Sequence, residues 1–399
     1  MKVLQLCNKP PYPPVDGGTL AMNSITQGLM AAGCEVRVLS MYSDKHPVQA
    51  SRMDEEYREA TRFEAVYVDL TLRPLEAAVA LLCGESYHVK RFVSKDFSHK
   101  LEQVLQQEQF DVVHVESFFL TPYLPLIRQH SRACVILRAH NVEHMIWRRV
   151  ASTERNPLKR WYLKHLSLTL AAYERDHINA YDGVISITEN DAAQFRQMGC
   201  RKPLVAIPFG ISPEMPAHVE EEPLSLFHLG SMDWMPNQEG VKWFLSQVWP
   251  LVHERMPQWV LYLAGRRMPS ELMRLNQEGV RVVGEVPDAM YFMASKQINV
   301  VPLLSGSGIR VKIIEAMSLG KVVVTTTVGA EGIGCVDGRD VLIADTPEQF
   351  VAQLQRCADS PGFCRQLGDN ASHLIAEQYG NEMLSRKMLA FYNELLNRD

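Results

Sequence analysis

Thirteen short runs rich in β-branched and other apolar residues recur along the 399-residue chain, and segments of helical periodicity fall between most of them. Seven lie in the first half: KVLQLC, EVRVLS, AVYVDL, DVVHVES, CVILRAH, GVISIT and PLVAIPFG. Six lie in the second: LSLFHLG, WVLYLAG, VRVVGEV, INVVPLL, KVVVTTT and DVLIAD. Strand and helix in alternation mean parallel sheets covered on both faces. Two such sets, each of about 200 residues, predict two doubly wound α/β domains. The break falls in PFGISPEMPAHVEEEP, which is rich in Pro and Glu and lacks periodicity. The predicted layout is a first domain over 1–207, a linker over 208–223 and a second domain over 224–380. An amphipathic helix over 381–399 crosses back to the first domain.

Composition narrows the function classes. Net charge is −5, from 41 basic and 46 acidic residues, so bulk charge does not point to nucleic acid, and any anion binding must come from local clusters. Eight scattered cysteines without a C-x-x-C predict neither a metal site nor a disulfide framework, and fit a reducing cytoplasm. The opening MKVLQLCNKPPYPP reads as a first strand rather than a leader. PLEAAVALLCG is the most apolar stretch and is too short to span a membrane.

In doubly wound sheets, ligands bind beyond the carboxyl ends of the strands, and a cleft between two such domains is the default site. Residues that follow strands therefore carry the functional argument. SGSGIRVKIIEAMSLGKVVVTTTVGAEG, residues 305–332, is the densest case. The sequence predicts a helix from about Gly308 or Ile309, with Ile309, Ile313 and Ala316 on its core stripe and Gly320 closing it. A glycine-rich turn at a helix N-terminus offers backbone N–H groups to a phosphate. Arg310 and Lys312 have the wrong sign for that end of the helix dipole, and a bound anion would explain them. Taken alone, such a turn reads as plainly as a βα loop with solvated charges.

The same stretch resembles the donor-site signature of retaining glycosyltransferases of family 4, which have the GT-B fold: two Rossmann-like domains facing across a cleft. In that family two glutamates flank seven residues. Glu315, before Ala316-Met317, matches the second, which holds the nucleotide ribose. The first falls on Ser307, a departure, and Arg310 with Lys312 resembles a branch reading G-x-R-x-K. The resemblance implies that Gly306, Ser307, Gly308 and Ile309 approach the donor and that Arg310 and Lys312 neutralise its diphosphate. It extends to PPYPPVDGGTLAMNSITQGL, where Gly17 and Gly18 would form a loop near the donor phosphates and the acceptor. In ILRAHNVEHM it implies that His140 faces the reacting sugar. Arg266 in LAGRRM becomes a second diphosphate candidate, and Val283 to Val286 would cradle the base. His114 and Glu116 in HVES fit an acceptor contact or a structural role equally.

The activity implied is retaining transfer of a sugar from a nucleotide-diphosphate sugar to a saccharide or lipid-linked acceptor, as in bacterial surface polysaccharide synthesis. The donor is a substrate; no cofactor and no metal are expected. RNPLKRWYLKH, preceded by Trp147, Arg148 and Arg149, sets four cations among aromatics, and Lys90, Arg91, Lys95 and Lys100 add to the same domain. Such a surface suits anionic lipid headgroups at the inner face of the membrane, although a solvated helix face reads equally well. No nucleic-acid motif accompanies it. Two other readings stay open: a nucleotide-sugar epimerase of the same architecture, and an inactive nucleotide-sugar-binding partner subunit.

Overall fold

The computed structural model describes residues 1–14, 16–49, 52–154, 156–211, 216, 218–305 and 310–398. The chain forms two compact units, one of residues 1–210 with 381–399, the other of residues 211–380. Each of the thirteen predicted runs overlaps one strand. In the first unit these are β1 (Lys2–Cys7), β2 (Glu35–Tyr42), β3 (Glu64–Tyr67), β4 (Val112–Val115), β5 (Cys134–Ala139), β6 (Gly183–Ser186) and β7 (Leu204–Ala206). The second unit holds β8 (Ser225–Leu229), β9 (Val260–Ala264), β10 (Val280–Gly284), β11 (Ile298–Val301), β12 (Val322–Thr325) and β13 (Leu342–Ile343).

The first sheet is ordered β3-β2-β1-β4-β5-β6-β7 and the second β10-β9-β8-β11-β12-β13, with parallel pairing throughout. Strand order reverses at β1/β4 in the first unit and at β8/β11 in the second. These are the positions where doubly wound sheets open a crevice at their carboxyl edge.

Period-two alternation sorts the strand side chains to opposite faces. Leu4, Leu6, Val113, Val115, Val135 and Leu137 pack on one face with Phe97, Leu101 and Tyr181. Val3, Val36, Val38, Val112 and Ile136 pack on the other with Met22, Ile25 and Leu29. The helix Asn381–Leu396 completes that second face with Leu384, Met388, Phe391, Tyr392 and Leu395. Its close approach needs small residues opposite: a Cβ on Gly183 would stand 2.5 Å from Leu395 Cδ1. Each such apolar side chain, fully buried, contributes roughly 1.5–3 kcal/mol. In the second unit Leu226, Leu261, Leu263, Ile298, Val300, Val322 and Val324 pack against Phe244, Trp249, Phe350 and Leu354. Among the described residues, no helix is long and apolar enough to cross a membrane.

Candidate active site

The second unit's candidate site lies where β11 meets β8. Ser305 follows β11, and its Oγ donates to the Glu239 carboxylate at 3.1 Å. Gly306, Ser307, Gly308 and Ile309 lie outside the described residues. The helix then runs Val311–Ser318 with Arg310 as N-cap. It starts later than the sequence predicts because Arg310 holds non-helical angles, φ −87° and ψ 86°. Ile313 and Ala316 are fully buried, as their spacing requires. Gly320 follows the C-cap Leu319 with φ +69°, the left-handed conformation that ends a helix without a Cβ penalty.

The charged groups at this helix start are held in a fixed arrangement. Arg310 is buried, with its guanidinium carbon 5.3 Å from the ring centroid of Trp234, a residue that follows β8. An arginine over an indole face is a cation–π contact, so the guanidinium is oriented before any ligand arrives. Lys312 donates to Glu315 at 2.6 Å, one turn on. The Lys312 side chain is 39% exposed and Glu315 12%, so the lysine end of the pair is the part open to an incoming anion. Trp234 was invisible as a partner in the sequence; its place just after LSLFHLG is the signal it left.

The loops after β8 and β9 are pinned together. Gly265, at φ +147°, passes so close to Gly230 that a Cβ would stand 1.7 Å from the Gly230 carbonyl oxygen. Met232 N–H donates to the Arg266 carbonyl at 3.0 Å. The Arg266 side chain is exposed, whereas its neighbour Arg267 is paired with Asp233 at 3.1 Å. Val283, in β10, is exposed on this unit.

In the first unit, Gly17 and Gly18 are not a loop. They open the helix Gly17–Ala31, because Asp16 caps it: its carboxylate accepts from Thr19 N–H at 2.9 Å while Asp16 N–H donates to Thr19 Oγ1. Lys9, just beyond β1, is paired with the same carboxylate at 2.7 Å. A Cβ on Gly18 would stand 2.9 Å from Lys9 Nζ, so glycine there leaves the lysine room beside the helix start. The first N–H groups of a helix have no partner within it and are available to a polar ligand.

His140 follows β5 and sits at the end of a relay of hydrogen bonds. Its Nε2 donates to Glu116 at 2.7 Å. Glu116 also accepts from Gln5 Nε2 at 2.7 Å, and Gln5 accepts from Thr26 Oγ1 at 2.6 Å. Burial alone would raise the Glu116 carboxyl, but the neighbouring His114, the hydrogen bonds and the Arg138 guanidinium outweigh it and hold it well below the usual carboxylate range. His140 is pushed below the ordinary imidazole value by burial, helped by Arg138 and Lys9, against the pull of Glu116. A neutral imidazole whose Nε2–H is committed to a carboxylate keeps Nδ1 as an acceptor. His114 and Glu116 are wholly buried, and His114 Nδ1 is hydrogen-bonded to Tyr392 Oη of the C-terminal helix at 2.6 Å. They support His140 rather than face solvent.

Glu143 and His144 open the helix Glu143–Thr153, and both backbone N–H groups donate to buried Glu174, at 2.8 and 3.2 Å. His144 Nδ1 lies 2.6 Å from the same carboxylate. Burial and the Glu174 charge push the Glu143 carboxyl up to about 8, against a hydrogen bond from Asn141.

Comparison with known proteins bears on this arrangement. Residues 16–210 match the model of a glycosyl transferase 4-like domain, and residues 223–360 match that of glycosyl transferases group 1. An uncharacterised 44.6 kDa protein of the cps region of Klebsiella pneumoniae is 20% identical over 395 residues, covering 96% of this chain and 97% of that one. Sucrose-phosphate synthase from Thermosynechococcus elongatus superposes over the whole of both chains with a TM-score of 0.72 at 15% identity. HepE from Anabaena, solved in complex with UDP, superposes with a TM-score of 0.66 at 14% identity, covering 99% of this chain and all of that one. At these identities the structural likenesses speak for the fold. Two consecutive family models and two switch-point sheets agree: the chain belongs to the group 1 glycosyltransferases and has the GT-B fold.

Proposed function

We propose that this glycosyltransferase moves a sugar, with retention at the anomeric carbon, from a nucleotide-diphosphate sugar to a saccharide or lipid-linked acceptor in surface polysaccharide synthesis. The observation that carries the reading is the helix start after β11, at the β8/β11 switch point, where Arg310, Lys312 and Glu315 gather. Arg310 and Lys312 would take the diphosphate, with Gly306, Ser307, Gly308 and Ile309 on the approach to it, and Glu315 the ribose. Cations fixed in advance stabilise a departing nucleotide diphosphate without reorganising at the moment of transfer. Arg266 is the reserve cation on the neighbouring loop. On the first unit, His140 would hold a sugar hydroxyl, and the Gly17–Gly18 amides a second polar group. The cps-region relative supports a role in polysaccharide assembly.

The reading includes an anionic membrane as a docking surface. The helix Pro157–His177 exposes Leu158 and Trp161, at 79% and 60%, with Leu168 on the same stripe. Lys164 borders that stripe and Arg160 lies farther round the helix, with Lys159 on the opposite side paired to Glu154 at 2.6 Å, so the helix presents an apolar edge with cations around it.

Solved relatives hold UDP and UDP-glucose, so these are the first nucleotides to test. Ligand at about 100 times its dissociation constant stabilises the folded state by roughly 2.7 kcal/mol. A melting-temperature rise with UDP that vanishes in Arg310→Ala/Lys312→Ala supports the reading; an undiminished rise in that variant rejects the donor site.

A further inference from the structure

The first unit contains a cavity of about 370 Å³ that the transferase reading does not use. It is built from the segments that follow β1, β2 and β3, with Arg91 and Phe92 forming one wall. Lys9, Lys45, His46 and Arg91 line it against a single carboxylate, Asp44. Lys9 already has Asp16, and Asp44 accepts from Tyr67 Oη at 3.2 Å.

Arg91 is the unusual member. Its neighbours on the same stretch of surface are paired: Arg73 with Asp69 at 2.7 Å, Lys90 with Glu85 at 2.6 Å. Among the described residues Arg91 has no ion-pair partner, and its Nε is buried without a hydrogen bond. Burial pulls its proton affinity below that of an ordinary guanidinium. Folded proteins seldom bury a donor of this kind unpaired, because desolvation goes uncompensated. A cavity lined by a half-buried guanidinium without a counter-charge is complementary to an anion, and a guanidinium suits phosphate or carboxylate equally.

We propose that this cavity is a subsite for an anionic group of the acceptor, a phosphate or a sugar carboxylate, held by Arg91 and Lys45 with Lys9 at its inner edge. The assignment rests on the transferase reading for the word acceptor and on the cavity alone for the anion. Lys9 connects the two regions of the unit: it lines the cavity, and its charge is felt at His140. An anion seated there would bring the rest of the acceptor toward the carboxyl end of β5.

The test is calorimetric titration of the full chain, with saturating UDP present, using inorganic pyrophosphate, glucuronate and uncharged glucose as probes. Pyrophosphate or glucuronate should bind, and Arg91→Gln/Lys45→Gln should weaken that binding at least tenfold while UDP binding is unchanged, which also certifies the fold. Preference for pyrophosphate would assign a lipid-diphosphate-type acceptor; preference for glucuronate would assign an acidic saccharide. Anion affinity that is unchanged in the double variant, or glucose binding as tightly as glucuronate, overturns the subsite. Absence of UDP binding in the wild type would instead reject the donor reading, and the dependence of anion binding on Arg91 and Lys45 would still be read.

Discussion

Glu116 and His140 are joined by a 2.7 Å hydrogen bond in which the carboxylate is wholly buried and the imidazole keeps 18% of its side-chain surface open. In the proposed reading the carboxylate positions the imidazole, and the imidazole would meet the substrate. Glu116→Gln preserves the shape but removes the group that raises the proton affinity of His140. UDP release from UDP-glucose should fall, and the acid limb of its pH profile should move to lower pH. A purely structural loss would leave that limb in place.

The same pair sets an acid-stability limit. Glu116 titrates below its ordinary 4.5 and His140 below its ordinary 6.5, so the unfolded chain binds more protons than the folded one on acidification. Their stabilisation is complete above about pH 6.5 and is lost as pH falls through the folded values. Glu143 runs the other way: a carboxyl raised to about 8 by burial and Glu174 stabilises the fold at low pH and loses that contribution between its ordinary 4.5 and 8. Glu143→Gln should therefore raise the melting temperature at pH 8.5 and do little at pH 5. Equal effects at both pH values would show that Glu143 is ionised throughout.

Lys312 and Glu315 separate a structural from a functional pair. An i,i+3 ion pair with its lysine end in solvent contributes only about 0.3–0.5 kcal/mol to folding. Glu315→Ala should thus change the unliganded melting temperature little while lowering UDP affinity by roughly 10- to 100-fold, about 1.4–2.7 kcal/mol. A large loss of stability with unchanged UDP affinity would make the pair a helix staple.

The helix Pro157–His177 can be tested on vesicles. Replacing Lys159, Arg160 and Lys164 by Glu should abolish sedimentation with vesicles containing phosphatidylserine, since each cation near such a surface is worth about 1 kcal/mol. Trp161→Ser should weaken it at all salt concentrations. Sedimentation that survives the triple change removes the membrane surface from the reading.

The fold was legible because parallel strands buried on both faces carry a signal strong enough to locate all thirteen. Helix starts were not, because they depend on a single cap: Asp16 draws Gly17 and Gly18 into a helix, and Arg310 delays one. The support of His140 was hidden for another reason. Gln5 meets Glu116 across 111 residues, and His114 meets Tyr392 across 278, distances at which a lone sequence carries no pairing signal. The Arg91 cavity was equally hidden: in the chain Arg91 reads as one more cation in a basic stretch, and only burial distinguishes it.

The return of helix Asn381–Leu396 orders events during synthesis. Residues 211–380 are all synthesised before Phe391, Tyr392 and Leu395 exist to cover Val3, Val38 and Ile136. The lobe translated first is consequently the one completed last, and until then its uncovered sheet face is the nascent chain's chief exposure to chaperones and to aggregation.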